Sequence, residues 1–170
     1  QAISESERIE LDLETTGFDP HTCRIRLCSI GTEHHRWVID VFQTGGLGPV
    51  VQALHNPDAV TGRGRPIVVG QNLKFDQGFL LHHEGVELWP VFDTFRASAM
   101  FYCGIPGLDH DLFALYRREL KMAPMVGELG GSDWSKPILT REQLDYAVDD
   151  VQWLRELFPI LRSEEHTSEL

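Results

Sequence analysis

The chain has 170 residues, of which 42% are hydrophobic and 24% charged, values typical of one soluble globular domain with a substantial core. No apolar run reaches the roughly 20 residues of a membrane span, and no signal-peptide pattern opens the sequence. The formal net charge of −11 counts against a protein that holds nucleic acid by bulk electrostatic attraction alone. It does not exclude an enzyme that reaches phosphate groups through bound metal ions.

The cysteines and the two ends of the chain carry further information. Cys23, Cys28 and Cys103 are odd in number and have no C-x-x-C spacing, which argues against a disulfide framework and a structural zinc site. This usage favours a reducing, cytoplasmic location. Residues 162–170 resemble a sequencing adapter translated in frame. We therefore expect residues 1–161 to form the functional domain, as a fragment of a longer protein, and the last nine residues to be a non-native tail.

The first predicted strand carries an Asp-x-Glu pair. Because side chains alternate along a strand, Ile9, Leu11 and Leu13 point to one face and Asp12 and Glu14 to the other. Two neighbouring carboxylates repel each other unless a cation or a shared proton relieves the repulsion. Since Mg²⁺ and Mn²⁺ prefer carboxylate oxygens, the pattern indicates a metal site. The alternative is a solvated polar face on an edge strand.

The middle of the chain alternates between strand and helix patterns. Two β-rich runs predict an antiparallel pair after the first strand, and a short apolar run predicts a buried strand. Asp93 or Thr94 can cap one further helix, and either Asp109 or Asp111 can cap the next. The predicted elements are strands at 24–32, 35–42, 66–70 and 87–92, helices at about 50–55, 72–84, 94–102 and 110–120, and loops at 15–20, 56–66 and 121–135.

The last helix has the clearest signal. Thr140 and Gln143 form a capping box, and apolar residues follow at helical spacing as far as Leu161. Strands followed by alternating strands and helices predict an α/β domain with a mixed sheet flanked by helices.

Further acidic residues lie where the predicted elements could converge with the first strand. Asp76 lies at the start of a helix, and Asp150 lies in the last helix. Tyr146 precedes Asp150 by four residues, so both project from the same helix face. Asp149 is an alternative to Asp150 that spacing alone does not exclude.

The chain contains three motifs in the order Asp12-x-Glu14-Thr-x-Gly17, Gln71-Asn72-Leu73-Lys74-Phe75-Asp76 and Tyr146-Ala147-Val148-Asp149-Asp150. These motifs resemble those of the DEDDy family of 3′–5′ exonucleases, which has a ribonuclease H-like fold. The segment Asp133-Trp134-Ser135-Lys136-Pro137, followed by the last helix, also resembles the segment shared by the proofreading domains of family A DNA polymerases and the ribonuclease D group.

The resemblance implies a role for each matching residue at the metal site. Asp12, Glu14, Asp76 and Asp150 would bind two divalent ions, Mg²⁺ or Mn²⁺, with Asp12 as a ligand of both. Glu14 and Asp150 would complete one ion site, and Asp76 would reach the other ion through water. Tyr146 would orient the attacking water.

The resemblance also implies the substrate contacts. Thr15, Thr16 and Gly17 would contact the terminal nucleotide, while Asn72 and Phe75 would shape its pocket. The implied substrate is the 3′ end of single-stranded nucleic acid, with DNA favoured over RNA, and a polymerase domain is an expected partner on the native chain. Two alternatives stay open: a ribonuclease D-like exoribonuclease, and a non-catalytic nucleic-acid-binding domain with the same fold.

Glu10 departs from the family pattern. It falls on the same strand face as Asp12 and Glu14, where the family usually has a small or apolar residue. We expect the strand to begin after it, so that Glu10 points to solvent. If the strand includes it, Glu10 would crowd the metal site and raise a neighbouring pKa.

Overall fold

A computed structural model describes residues 3, 6–55, 65–122 and 129–162. Within these residues, five strands and seven helices of four or more residues are present. The strands are β1 (Arg8–Thr15), β2 (Ile25–Gly31), β3 (Arg36–Asp40), β4 (Ile67–Gly70) and β5 (Val91–Asp93). The helices are α1 (Val41–Thr44), α2 (Gly48–His55), α3 (Lys74–Glu84), α4 (Thr94–Phe101), α5 (Leu112–Glu119), α6 (Arg141–Gln152) and α7 (Leu154–Arg162).

The five strands form one mixed sheet in the order β3-β2-β1-β4-β5, which confirms the predicted architecture. The central strand, β1, pairs antiparallel with β2 and parallel with β4. The parallel ladder runs only from Arg8–Ile67 to Glu10–Val69, so the second half of β1 extends beyond β4. That half carries the Asp-x-Glu pair.

Helices cover both faces of the sheet. Ile9, Leu11 and Leu13 of β1 are buried in one core with residues from α2 and α3, as the alternation predicts. On the opposite face, α6 and α7 pack against β2 and β4 through smaller apolar clusters. Each fully buried leucine or isoleucine contributes about 1.5–3 kcal/mol by leaving water, so these clusters hold both helical layers on the sheet.

The expectation that Glu10 points to solvent is wrong. β1 begins at Arg8, and Glu10 is only 1% exposed. The carboxylate forms ion pairs with Arg8 and Arg155, each at 3.3 Å, and its pKa is raised because burial outweighs these two charges. Glu10 is therefore paired with cations from β1 and α7.

Several element bounds differ from the prediction, including those of β3, β5 and the last helix. β3 stops at Asp40 because this carboxylate caps α1, accepting a hydrogen bond from the Phe42 N–H at 3.1 Å. The strand predicted at 87–92 shortens to β5 because Gln77 bonds the backbone of Val86 and Leu88. The single last helix is in fact two, α6 and α7, separated at Trp153.

Other predictions are confirmed or lie outside the described residues. Thr140 and Gln143 form the predicted capping box at the start of α6. Asp111, rather than Asp109, caps α5. In the part of the chain that the structure describes, no helix is both long and apolar enough to cross a membrane. Residues 163–170 of the predicted tail, most of the 56–66 loop and the 123–128 part of the connection lie outside the described residues.

Candidate active site

Three carboxylates from β1 and α6 meet on the sheet face opposite the α2–α3 core. One oxygen each from Asp12, Glu14 and Asp150 can be chosen so that all lie within 4.8 Å of one another. Glu14 and Asp150 are buried, and Asp12 is half-buried. The structure thus distinguishes between the two adjacent aspartates of α6, because Asp150, and not Asp149, belongs to this cluster.

Asp76 lies next to the same strand but has a different environment. Beyond the end of the β1–β4 ladder, its Oδ1 accepts a hydrogen bond from the Leu13 N–H at 3.0 Å. Asp76 thereby satisfies a backbone donor in a buried place where an unpaired group would be costly. Its charge also raises the pKa of Glu14, so it contributes to the electrostatics of the cluster without belonging to the set of three.

The four carboxyl groups resist ionisation. Burial raises the pKa of Asp12 to about 7. Burial, together with the charges of Asp12, Asp150 and Asp76, raises the pKa of Glu14 to about 10. Burial and the charge of Asp12 raise the pKa of both Asp76 and Asp150.

The donor set fits a hard divalent cation. Within the described residues, no salt bridge includes Asp12, Glu14, Asp76 or Asp150. The oxygen ligands are close together and partly desolvated, and no arginine or lysine in the described part of the chain neutralises them. Carboxylate oxygens in this arrangement are the ligands that Mg²⁺ and Mn²⁺ prefer, and a bound cation would reverse the upward pKa shifts.

Tyr146 stands beside the cluster, one helical turn before Asp150. Burial, followed by the charges of Asp150, Glu14 and Asp12, raises the pKa of its phenol, so the hydroxyl is protonated at neutral pH. Gly130 permits the close approach of the facing loop, because a Cβ at that position would lie 3.2 Å from the Tyr146 hydroxyl. The ring also packs against Trp134 at a centroid distance of 6.3 Å.

The cluster opens into a cleft of about 340 Å³. Of the predicted substrate-binding residues, Thr15, Thr16, Gly17 and Phe75 line it. Asn72 is not among the lining residues: it is exposed, has a left-handed backbone with φ 54°, and donates its N–H to Asp93 at 2.9 Å.

Sequence reasoning did not assign several residues of the cleft wall. Phe18 follows Gly17, is 86% exposed and contacts Phe75 edge-on at 6.3 Å. The position of this aromatic residue directly after the first motif could have indicated from the sequence that it belongs to the cleft wall. Gly130, Gly131, Ser132 and Trp134 form another part of the wall. Their place depends on how the connection before α6 folds back, which local patterns do not encode.

Comparison with known proteins agrees with this geometry. A family model described as 3′–5′ exonuclease matches residues 1–165. DNA polymerase I of Aquifex aeolicus is 34% identical over 160 residues, which are 94% of this chain and 24% of that protein. Ribonuclease D of Pseudomonas paraeruginosa is 26% identical over 151 residues, 88% of this chain and 37% of that protein. The chain thus spans much less than half the length of these relatives.

Solved structures share the fold. Brucella melitensis NrnC has a TM-score of 0.81 at 24% identity, covering 96% of this chain and 76% of that one. Escherichia coli RNase D has a TM-score of 0.78 at 21% identity, covering 98% of this chain and 42% of that one. The expected ribonuclease H-like exonuclease fold is confirmed. Because the family model covers nearly the whole sequence, the chain belongs to the 3′–5′ exonuclease family.

Proposed function

We propose that this domain hydrolyses phosphodiester bonds at the 3′ end of single-stranded nucleic acid, using two divalent ions, Mg²⁺ or Mn²⁺. The observation that carries the proposal is the cluster of Asp12, Glu14 and Asp150: one oxygen of each lies within 4.8 Å of the others, and no described residue forms a salt bridge with the cluster. The structure of Brucella melitensis NrnC with bound Mg²⁺, which is similar in fold at a TM-score of 0.80, supports the choice of ion.

The carboxylates have distinct tasks in this proposal. Asp12, Glu14 and Asp150 would hold the ions directly, and Asp76 would act through water while it holds the Leu13 N–H. Two bound ions would lower the pKa of water and stabilise the charge that develops on the phosphate oxygens. The site is too negative to accept a phosphodiester until cations compensate the carboxylates.

Tyr146 would orient the attacking water. Its hydroxyl is neutral because burial and the nearby carboxylates raise the pKa of the phenol. A neutral hydroxyl both donates and accepts hydrogen bonds, so it can fix a water molecule in place beside the carboxylates. Gly130 leaves the space beside that hydroxyl free of a side chain.

The terminal nucleotide would occupy the cleft beside Thr15, Thr16, Gly17 and Phe75. We favour DNA as the substrate and proofreading for a family A DNA polymerase as the role, because the similarity to DNA polymerase I extends over 94% of the chain at 34% identity. RNA trimming is the second candidate, supported by the ribonuclease D relatives and by the fold likeness to NrnC bound to pGG.

An isosteric substitution tests the proposal. We expect Asp12→Asn to lower the rate of 3′ cleavage of a labelled single strand in Mg²⁺ by about a thousandfold or more, because a ligand charge is lost. The matched control is Asp149→Asn, which removes a neighbouring carboxylate outside the cluster. Parallel assays with matched DNA and RNA strands identify the preferred sugar. Turnover by Asp12→Asn at the wild-type rate, or cleavage of the strand by the wild-type protein in EDTA, would refute the metal mechanism.

A further inference from the structure

The end of α6 leaves backbone acceptors without their usual helical partners. α6 ends at Gln152 and α7 begins at Leu154, with Trp153 between them. The last carbonyls of a helix have no following turn to bond them, and buried acceptors need another donor. The carbonyls of Asp149 and Asp150 belong to this last turn, so a donor from outside the helix can stabilise the backbone at the candidate metal ligand.

Tyr116 of α5 supplies that partner. Its hydroxyl lies 3.2 Å from the carbonyl oxygen of Asp149 and 3.3 Å from that of Asp150, placed to donate to either. The side chain is 2% exposed and packs among apolar residues of α5 and α7, including Leu157. Burial, together with the charges of Asp150 and Asp12, raises the pKa of the phenol, so it stays a donor at all working pH values.

We propose that Tyr116 is a positioning residue that fixes the end of α6 and thereby holds the Asp150 carboxylate against Asp12 and Glu14. The proposal rests on the proposed function, in which Asp150 is a metal ligand. Tyr116 is not one of the residues that line the cleft, so we assign it no contact with the substrate. It acts through the backbone. Without the Tyr116 hydroxyl, the last turn of α6 can fray, and the backbone no longer holds the Asp150 side chain in position.

The chain provides a matched pair of tyrosines for the test. Tyr116→Phe removes the hydroxyl and keeps the ring that packs in the core. Tyr102→Phe is the control, because the Tyr102 hydroxyl donates to Glu119 of α5 at 2.8 Å, and Glu119 is not a member of the Asp12–Glu14–Asp150 cluster. Both variants lose one hydrogen bond, but only the first loses a contact with α6.

Mn²⁺ binding to the metal-free protein, measured by calorimetry, is the main readout. We expect Tyr116→Phe to weaken Mn²⁺ binding by about tenfold, as is usual when a residue that orients a metal ligand is removed, and to lower kcat with little change in KM. Hydrogen exchange should accelerate at the end of α6 and not in the β-sheet. Tyr102→Phe should leave Mn²⁺ binding and both kinetic constants unchanged.

Asp150→Asn separates failure of this inference from failure of the proposed function. If Asp150→Asn binds Mn²⁺ as tightly as wild type, the proposed function is wrong and this inference falls with it. If Asp150→Asn loses Mn²⁺ binding while Tyr116→Phe retains it, the inference alone is wrong. Equal losses in Tyr116→Phe and Tyr102→Phe would also overturn it, since the effect would then be a general loss of stability.

Discussion

Neighbouring acids on one strand face have opposite environments. Glu10 and Asp12 are two residues apart on β1 and point to the same side of the sheet. Glu10 has two arginine partners at 3.3 Å, Arg8 and Arg155, whereas no described salt bridge includes Asp12. A buried acid with built-in counter-charges has a structural role. In a buried cluster without them, protons or added cations relieve the repulsion between the carboxylates, which is the behaviour expected of a metal site.

Tyr146 offers a test at the scale of one hydroxyl group. We expect Tyr146→Phe to slow 3′ cleavage by about a hundredfold, less than Asp12→Asn, because the ions remain bound while the water loses its orienting partner. The phenyl ring should keep its contact with Trp134, now at 6.3 Å, so the thermal midpoint should change little. Single-turnover rates on a labelled strand measure the effect. A rate equal to that of wild type would limit Tyr146 to packing.

Arg26 connects two elements that lie far apart in the sequence. Its buried guanidinium on β2 bonds Asp40 at 2.9 Å and the carbonyl oxygens of Lys136 and Pro137 in the segment before α6. It also lies over the Phe42 ring at 4.7 Å. One side chain therefore fixes the segment that carries Trp134 and leads into the helix of Asp150.

We expect Arg26→Met to lower the free energy of unfolding by about 3 kcal/mol, because Asp40 and two carbonyl groups lose a buried partner. The control is Arg141→Met. Arg141 pairs with Asp145 at 2.8 Å, but the Arg141 side chain is 83% exposed, so losing this pair should change the free energy of unfolding little. Urea denaturation of both variants provides the measurement. Similar stability losses in the two would contradict the structural role of Arg26.

Local patterns predicted most elements because each has a local cause. The alternation in β1 and the Thr140–Gln143 capping box both lie within a few residues and were confirmed. The break at Trp153 was missed because buried positions such as Val151 and Leu154 follow the helical period through it. What could not be predicted depends on contacts across the fold, as when Tyr116 reaches the end of α6.

In the candidate site, too, some features follow from local sequence patterns and others depend on contacts across the fold. The three motifs identified Asp12, Glu14 and Asp150, which the structure brings together, although spacing alone left Asp149 open. The pairing of Glu10 with Arg155 could not be foreseen, since it joins opposite ends of the chain.

At the scale of the whole molecule, the acid cluster links stability to pH and to metal. The folded pKa of Asp12 is about 7 against an ordinary value of 3.8, and that of Glu14 is about 10 against 4.5. The folded protein therefore keeps protons that the unfolded chain releases, and stability falls as the pH rises between the ordinary and the raised pKa values. Divalent cations oppose this loss because they bind the ionised cluster of the folded state only.

We therefore expect the thermal midpoint of the metal-free protein to decrease from pH 5 to pH 8, and Mn²⁺ to raise it more at pH 8 than at pH 5. Asp12→Asn should flatten the pH dependence and raise the midpoint at pH 8 in EDTA, because it removes one buried charge. Thermal denaturation of both proteins across this range, with EDTA or with Mn²⁺, makes the comparison. If wild type and Asp12→Asn have parallel pH profiles and equal Mn²⁺ stabilisation, Asp12 neither holds a proton in this range nor binds the ion. These measurements therefore test, without any substrate, whether bound cations restore the stability that the folded protein loses when the buried carboxylates ionise.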